Sequence, residues 1–304
     1  GICRVRKNLD GDLYLSTYGT VSSMGFDPVE KKPLYHFYPG KFIFSVGNFG
    51  CNMHCKFCQN WQISQSVPTH VDVNRRYDPD ELVDMASGRK TNLGIAYTYN
   101  EPFVWFEYMQ DIAKLAAKKG LKNVMVTNGF INPEPLEKIL DLIDAFNVDL
   151  KAFNEHFYKT QTMSRLEPVK ESMKRIRRRG KHLEITNLVI TNLNDDHDEF
   201  EEMVKWIQGE IGKDIPLHIS RYFPTYKSSE PPTDPDKMHE FYLLAREYLD
   251  FVYMGNISLH EGVHTYCPDC GRRVVERNRY DVSVNGLDEK GNCANCGYEI
   301  FEYI

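Results

Sequence analysis

Short apolar runs alternate with amphipathic segments along most of the chain, and this alternation strongly limits the folds available to it. Six apolar runs have the length and composition of buried strands. The predicted strands are Phe42–Val46, Gly94–Thr98, Asn123–Thr127, Ala145–Leu150, His182–Ile190 and Pro216–Ser220. The predicted helices are Pro79–Ser87, Phe103–Lys119, Pro133–Asp144, Glu167–Arg179, Asp198–Ile211 and Pro235–Tyr248. This order indicates an α/β fold with a parallel sheet, here a partial (β/α)6 TIM-like barrel.

Two segments lie outside this alternation. Residues 1–41 are rich in glycine and proline, which predicts an irregular N-terminal extension with Asp12-Leu-Tyr-Leu15 as a candidate short strand. The pattern changes again after Gly262. We therefore predict an extension over residues 1–41, a main domain over 42–260 and a small module over 261–304.

Composition excludes several classes of protein. The 304 residues are 41% hydrophobic and 26% charged, with a formal net charge of -6, so nothing attracts the chain generally to nucleic acid or to an anionic membrane. No apolar run approaches the roughly 18 residues of a spanning helix. The N-terminus lacks the apolar core of a signal peptide. Because seven of the eight cysteines have metal-ligand spacing, we expect a reducing, cytoplasmic location.

Three cysteines follow the first predicted strand. Cys51, Cys55 and Cys58 are separated by three and then two residues, with no fourth cysteine close by. Thiolates are soft ligands that select iron–sulfur clusters, zinc or copper(I). A cubane cluster normally takes four thiolates, so three leave one iron open to a non-protein ligand. The spacing predicts a [4Fe-4S] cluster whose free iron holds a small molecule.

Unusual polar residues follow four of the other predicted strands. In parallel α/β folds the chemistry lies at the carboxyl ends of the strands, so these residues should converge on one rim. Taken singly, Asn-Gly and Glu-Pro are also ordinary turn residues. Their coincidence at the same strand end favours a shared site. The residues concerned are Asn100, Glu101, Thr127, Asn128, Asp149, Lys151, Arg221 and Tyr222.

An open iron can chelate the amine and the carboxylate of one ligand, and S-adenosylmethionine (SAM) carries such a pair. Glu101 is the candidate acceptor for the amine. The candidate partners of the carboxylate are Thr127, Asn128 and Lys151. Phe57 and Leu188 are candidates for apolar cover of the adenine and ribose.

The motif Cys51-x3-Cys55-x2-Cys58, with Phe57 before the last cysteine, resembles the signature of radical SAM enzymes. The resemblance spans roughly residues 42 to 225. It implies a partial barrel with the cluster in the loop after the first strand. It also implies reductive cleavage of SAM to a 5′-deoxyadenosyl radical, which abstracts hydrogen from a substrate, and a reductant such as ferredoxin or flavodoxin.

Three further motifs resemble those of glycyl-radical-enzyme activases. Asn100-Glu101-Pro102 occupies the place of their Gly-Gly-Glu-Pro, Thr127-Asn128-Gly129 resembles their Asp-Thr-Asn-Gly, and Asp149-Leu-Lys151 resembles their Asp-Leu-Lys. The resemblance places these residues beside SAM. In the activases, a monovalent cation is held by the first Asp of the second motif, its Thr and the Asp of the third. Val126 stands here in place of that first Asp.

A subgroup of the family, the AmmeMemoRadiSam system radical SAM proteins, is similar over nearly the whole chain. The subgroup is associated with AMMECR1-like and Memo-like proteins, which the resemblance makes candidate partners. It supplies no substrate. The similar segments are Asp27–His36, Cys58–Gln65, Tyr97–Pro102 and His218–Pro224.

The remaining paired cysteines lie near the C-terminus. Cys267-Pro-Asp-Cys270 and Cys293-Ala-Asn-Cys296 are two matching knuckles, each followed by glycine. Two such knuckles predict a tetrahedral four-sulfur site in a zinc-ribbon or rubredoxin-like module. Structural Zn²⁺ is the preferred interpretation. The alternative is iron that relays electrons to the first cluster.

Four residues are candidate substrate contacts. Tyr99 and Tyr222 are candidates for lining the cavity, and Arg221 for holding an anionic group. His218 is either a substrate contact or a packed interior histidine.

Alternatives to a small-molecule radical SAM enzyme remain open from the sequence. The first is an activase that installs a glycyl radical on a partner enzyme. The second is an RNA-modifying enzyme, suggested by the basic run over residues 174–182, although such a run also suits the last turn of a solvated helix. The third is an electron carrier, which would not need the amino-acid pocket suggested by Glu101, Asn128 and Lys151.

Overall fold

The computed structural model describes residues 1–66, 76–257 and 261–304. An N-terminal hairpin of β1 (Arg6–Leu9) and β2 (Asp12–Leu15) precedes the main sheet. The main sheet contains eight strands that lie side by side in chain order. They are β3 (Ser23–Pro28), β4 (Phe42–Gly47), β5 (Asn92–Tyr97), β6 (Lys122–Thr127), β7 (Ala145–Asp149), β8 (His182–Val189), β9 (Leu217–Arg221) and β10 (Val252–Gly255). β3 is antiparallel to β4, and every later pair is parallel.

Helices connect the parallel strands. They are α1 (Trp61–Ser64), α2 (Pro79–Ser87), α3 (Phe106–Lys118), α4 (Pro133–Leu140), α5 (Glu155–Phe157), α6 (Leu166–Arg178), α7 (His197–Trp206) and α8 (Pro235–Arg246). Short 3-10 turns cover Val29–Lys31 and Pro102–Trp105, and π-helical turns cover Tyr158–Thr162 and Ile207–Ile211. Capping side chains and a glycine fix the ends of several helices. The Asp196 and Asp234 side chains accept hydrogen bonds from the first turns of α7 and α8, and Gly120 ends α3 with a left-handed φ of 73°.

The α/β fold with a mainly parallel sheet is confirmed, and all six predicted strands and six predicted helices are present. The strand number was wrong, because β10 adds a seventh parallel strand and β3 an antiparallel edge. β10 has only four residues, too few for a clear pattern. β3 contains Gly25 and Pro28, which are typical of edges rather than central strands. The candidate strand Asp12–Leu15 is confirmed as β2.

The N-terminal 41 residues contribute to the main sheet, since β3 pairs with β4 along six residues. In the described ranges, no ladder joins β3 to β10, so these two strands are the edges of the sheet. The predicted module boundary at residue 260 lies within 258–260, outside the described residues. Nor does any helix of the described part combine the length and hydropathy needed to cross a membrane.

The two faces of the sheet have different covers. Helices α2, α3, α6 and α8 pack on the outer face. Residues 29–37, which we call the N-terminal segment, cover the amino-terminal half of the inner face. Its apolar members Val29, Leu34 and Phe37 pack against inward strand residues. Those strand residues are Ile43, Ala96, Val124 and Ala145.

One buried carboxylate fixes the N-terminal segment against β8. Glu184 accepts hydrogen bonds from the backbone N–H groups of Tyr35 (2.9 Å) and His36 (2.7 Å). Its carboxylate also lies 2.9 Å from Nε2 of His182 and 2.6 Å from Nε2 of His218. Burial acts to raise the pKa of Glu184, but the bonds to the two imidazoles outweigh it, and the net pKa is lowered. Glu184 is therefore ionised at neutral pH.

The C-terminal module contacts the same segment. Its sheet consists of β11 (Thr265–Tyr266), β12 (Arg273–Asn278) and β13 (Asp281–Ser283). The buried Arg277 of β12 donates hydrogen bonds to the Tyr35 carbonyl (2.8 Å) and to Thr265 Oγ1 (2.8 Å). The N-terminal segment thus lies between the sheet and the module.

Candidate functional site

A cavity of about 680 Å³ lies at the carboxyl ends of the parallel strands. Its volume is within the range of small-molecule and cofactor sites. It is lined by the three clustered cysteines and by the eight residues predicted as candidates for binding SAM. These are Cys51, Cys55, Cys58, Phe57, Asn100, Glu101, Thr127, Asn128, Asp149, Lys151 and Leu188.

The cavity is the carboxyl-terminal half of the inner face of the sheet. Successive strand residues point to opposite faces, so residues two apart share a face. Thr98 lines the cavity and Ala96 packs under the N-terminal segment. In the next strand, Val126 lines the cavity and Val124, two residues earlier, packs under the N-terminal segment. The cavity therefore begins where the cover by the N-terminal segment ends.

Backbone hydrogen bonds hold the loop of the three cysteines on both sides. The His54 N–H donates to the Thr162 carbonyl (2.8 Å), and the Lys227 N–H donates to the Lys56 carbonyl (2.9 Å). Asn100 braces the start of the loop, because its Nδ2 donates to the Gly50 carbonyl at 2.8 Å. The side-chain amide of Asn100 thus positions the loop.

Glu101 is a buried carboxylate held by three donors. Its Oε1 accepts from Thr127 Oγ1 (2.8 Å) and from the Phe103 N–H (3.1 Å), and its Oε2 accepts from the Asn128 N–H (2.8 Å). Burial raises its pKa to about 7, although these bonds act in the opposite direction. From the sequence, we predicted that Thr127 and Asn128 bind the carboxylate of the ligand. In the structure, the Thr127 hydroxyl and the Asn128 N–H point to Glu101.

The side-chain amide of Asn128, which directly follows β6, connects this strand to the loop of the three cysteines. Its Nδ2 donates to Asn52 Oδ1 at 2.9 Å and lies 3.6 Å from Cys51 Sγ. Asn52 Nδ2 in turn donates to the Phe130 carbonyl at 2.6 Å. An N–H directed at sulfur favours the thiolate form.

Lys151 and Asp149 form an ion pair in the cavity lining, with Nζ 2.9 Å from Oδ2. Burial acts to lower the pKa of Lys151, but the negative charges of Asp149 and Cys55 raise it by more. The net pKa of Lys151 is therefore raised. The Lys151 ammonium lies 6.0 Å from the centre of the Phe57 ring. Lys151 is therefore a permanent cation next to the cysteine loop.

Burial also acts on the thiols. It raises the pKa of Cys51 well above the ordinary value and that of Cys55 to about 12. Ionising these thiols inside the cavity requires a positive charge beside them. Together with the third sulfur of the loop, Cys58, they form a set of soft donors that suits a cationic metal cluster.

The four candidate substrate contacts lie in different places. Tyr99 lines the cavity, and its hydroxyl donates to Asp27 Oδ2 at 2.9 Å. The other three are outside the lining. His218 is bonded to Glu184, and Arg221 Nε donates to the Thr233 carbonyl at 2.7 Å. The buried Tyr222 donates its hydroxyl to Ser228 Oγ at 2.9 Å.

Several lining residues were not expected from the sequence. Asp27, Lys31 and Lys32 come from the N-terminal region, and Tyr280 comes from the C-terminal module. One feature of the sequence could have indicated the first three residues, namely the similarity of the segment Asp27–His36 to the AmmeMemoRadiSam subgroup. No feature of the sequence indicated Tyr280 as a cavity residue.

The C-terminal cysteines form a second potential metal site. The sulfur atoms of Cys267, Cys270, Cys293 and Cys296 all lie within 4.8 Å of one another. Cys267 and Cys296 are 3.5 Å apart, and Cys270 and Cys293 are 3.6 Å apart. Four converging sulfurs are the donor set of a tetrahedral metal ion.

The basic run at the end of α6 is paired within the chain. Arg177 contacts Asp214 at 2.7 Å, Arg175 contacts Glu137 at 3.2 Å, and Lys174 contacts Glu210 at 2.6 Å. These partners offset much of the positive charge that suggested nucleic acid.

The sequence matches the profile of the Radical SAM superfamily over residues 46–207. The chain belongs to this superfamily and is an enzyme of that class, whose members use SAM and a [4Fe-4S] cluster and typically need a reductant. It is 42% identical over 303 residues to the uncharacterized protein MJ0808 of Methanocaldococcus jannaschii, covering 99% of this chain and 90% of that protein.

More distant relatives extend the comparison. The putative glycyl-radical enzyme activating enzyme MJ1227 of the same organism is 22% identical over 234 residues, covering 73% of this chain and 92% of its own length. The crystal structure of Streptococcus suis SuiB bound to S-adenosylmethionine has a TM-score of 0.55 at 14% identity. That match covers 76% of this chain and 54% of SuiB, and it shows the fold alone.

Gly50, the residue before Cys51, provides a test of how tightly the loop is built. Its φ is 82°, and a Cβ there would lie 2.5 Å from the Cys3 carbonyl oxygen. Gly120 has a similar φ of 73° with nothing within 4 Å. We expect Gly120→Ala to lower the free energy of unfolding by roughly 1–2 kcal/mol, the cost of the left-handed backbone alone. Gly50→Ala should cost about 1–3 kcal/mol more, because the backbone must move.

Urea unfolding of the two variants measures this difference. Equal costs for Gly50→Ala and Gly120→Ala would show that the loop before Cys51 can shift freely.

Proposed function

We propose that this enzyme binds a [4Fe-4S] cluster through Cys51, Cys55 and Cys58 and uses it to cleave SAM reductively, starting radical chemistry on a substrate in the same cavity. The observation that carries the proposal is the presence of three thiols and the buried carboxylate Glu101 in one cavity. The donor set fits the group, since thiolates suit iron and leave one coordination position open.

The chain's own residues have complementary roles in this proposal. Glu101, oriented by its three donors, accepts from the amine of SAM. Lys151 attracts the SAM carboxylate, and Asn128 directs an amide toward Cys51. Phe57 and Leu188 cover the adenine and ribose and exclude water. When bound and reduced, the cofactors supply the radical that abstracts hydrogen from the substrate.

The proposed function also includes a reductant, partner proteins and a metal ion in the C-terminal module. A ferredoxin or flavodoxin is the proposed reductant. AMMECR1-like and Memo-like proteins are proposed partners through the resemblance to the AmmeMemoRadiSam subgroup. Zn²⁺ is proposed for the four C-terminal cysteines, because their sulfurs already converge and the module is small. The proposed compartment is the cytoplasm.

A second candidate function is activation of a glycyl-radical enzyme. The distant similarity to MJ1227, whose name is putative glycyl-radical enzyme activating enzyme, supports it. Both functions share the SAM site and differ in whether a small molecule or a protein loop receives the radical.

Anaerobic reconstitution with iron and sulfide, followed by dithionite and SAM, tests the main proposal. We expect 5′-deoxyadenosine and methionine by mass spectrometry, because the three thiols would bring the reduced cluster to SAM. A Cys51, Cys55 and Cys58 triple-alanine variant should give neither product. Because some members of the superfamily cleave a different C–S bond of SAM, other fragments of SAM are measured in the same run. Absence of every SAM fragment with the fully reconstituted wild-type chain would refute the proposal.

The role of Glu101 predicts a pH dependence of SAM binding. Its pKa is raised to about 7, so the carboxyl loses its charge as the pH falls below 7. If binding needs the carboxylate, SAM should bind about tenfold more weakly at pH 6 than at pH 8. Glu101→Gln should bind SAM at least about tenfold more weakly at pH 8 and show little pH dependence.

Anaerobic equilibrium dialysis of SAM against the reconstituted chain measures both effects. Glu134→Gln, at an exposed position in α4, is the control and should behave as wild type. The same pH slope in Glu101→Gln and wild type would remove Glu101 from amine binding.

Metal analysis tests the zinc proposal. In the triple-alanine variant the proposed cluster ligands are gone, so about one Zn²⁺ per chain and no visible colour are expected. Adding Cys270→Ser should remove the zinc and lower the melting temperature. The hydrophobic core of the module has only five buried residues, two of which are the zinc ligands Cys267 and Cys293, so the module depends on the metal for stability. Iron and a coloured triple variant would instead favour the electron-relay alternative.

A further inference from the structure

Two parts of the chain that lie outside the strand–helix alternation also line the cavity. Asp27, Lys31, Lys32 and Pro33 come from the N-terminal region, and Tyr280 from the turn between β12 and β13. We call these five residues the cavity floor. The Pro33 carbonyl accepts from Asn147 Nδ2 at 2.8 Å, two residues before the cavity-lining Asp149. The floor therefore lies beneath the residues proposed to hold SAM.

The cavity floor carries an excess of positive charge. Asp27 pairs with both lysines, at 3.1 Å from Lys31 Nζ and 2.9 Å from Lys32 Nζ. One carboxylate faces two ammonium groups, which leaves a net charge of about +1. The candidate SAM-binding residues at the strand ends form what we call the upper wall of the cavity, and there Lys151 and Asp149 offset each other.

The two ammonium groups differ in access. The side chain of Lys32 is 4% exposed and that of Lys31 is 42% exposed. Asp27 can offset only one of the two ammonium charges, and an anion bound beside them would offset the other. The floor is thus better matched to an anionic ligand than to a neutral one.

An aromatic ring lies against each of the two ammonium groups. The Tyr99 ring centre lies 4.8 Å from Lys32 Nζ, and the Tyr280 ring centre lies 5.4 Å from Lys31 Nζ. Tyr99 has a left-handed φ of 69°, which is unusual for an aromatic residue and is held by the bond from its hydroxyl to Asp27. Tyr99 also immediately precedes Asn100 and Glu101. Its strained backbone therefore connects the floor to the proposed SAM site.

We propose that the cavity floor is the substrate-binding end of the site and that Lys31 and Lys32 bind an anionic group of the substrate, a carboxylate or a phosphate. This inference rests on the proposed function and adds the chemical class of the substrate. Anchoring a remote anion would position the rest of the substrate for hydrogen abstraction above it. Through Tyr280, the C-terminal metal module becomes part of substrate recognition.

Calorimetric titration of the reconstituted chain, saturated with SAM and without reductant, tests this. The probes are inorganic phosphate and succinate, each titrated at constant ionic strength. We expect at least one probe to bind the wild type. Its affinity should fall about tenfold or more in Lys31→Gln and in Lys32→Met, since each removes one ammonium from the floor. Lys138→Gln, which removes an exposed lysine paired with Glu134 in α4, is the matched control and should bind the probe as wild type does.

The outcomes separate the two ligand classes and the two proposals. Binding of phosphate alone assigns a phosphate, and binding of succinate alone assigns a carboxylate. Binding of neither probe, or equal binding by the floor variants and the control, overturns the inference. Lys31 is partly exposed, so Lys31→Gln keeps the test decisive if Lys32→Met does not fold. Formation of 5′-deoxyadenosine without anion binding would refute only the floor, whereas anion binding without SAM cleavage would refute only the proposed function.

Discussion

The ionised side chain of Glu184 determines how the inner face of the sheet is covered. A carboxylate in the interior is tolerated only when donors surround it, and Glu184 has two backbone N–H groups and two imidazoles. The N–H groups of Tyr35 and His36 are satisfied there instead of in a strand ladder. The N-terminal segment can therefore cross the inner face as irregular chain without leaving these donors unpaired.

This arrangement sets the position and depth of the cavity. The N-terminal segment fills the amino-terminal half of the inner face, so only the carboxyl ends of the strands remain open. Arg277 then holds the segment from its other side through the Tyr35 carbonyl. The C-terminal module thus contributes to the shape of the cavity although its four cysteines lie outside the lining. Both appended parts of the chain belong to the architecture of the site.

The sequence was sufficient for the upper wall of the cavity and insufficient for its floor. Strand periodicity and the strand-end rule brought the three cysteines, Glu101 and Lys151 together, because both depend on local pattern. The floor depends on contacts between distant residues, such as Tyr35 with Glu184, 149 positions apart, and Arg277 with Tyr35, 242 positions apart. No periodicity reports such contacts.

Side-chain direction explains why Arg221, at the end of β9, lies outside the cavity lining, and depth explains the same for His218. His218 and Ser220 share the inner face, but His218 lies two residues earlier and is covered by the N-terminal segment, whereas Ser220 lines the cavity. Arg221 is the next residue along β9, so its side chain points to the opposite face of the sheet. Side-chain direction does not distinguish the roles of Glu101 and Asp149, since both carboxylates line the cavity. Asp149 is paired with Lys151, while the three donors that hold Glu101, namely two backbone N–H groups and the Thr127 hydroxyl, are all neutral. Neutral donors orient a carboxylate without cancelling its charge, and its pKa stays raised by burial. Of the two, Glu101 is therefore the carboxylate whose burial a ligand amine would offset.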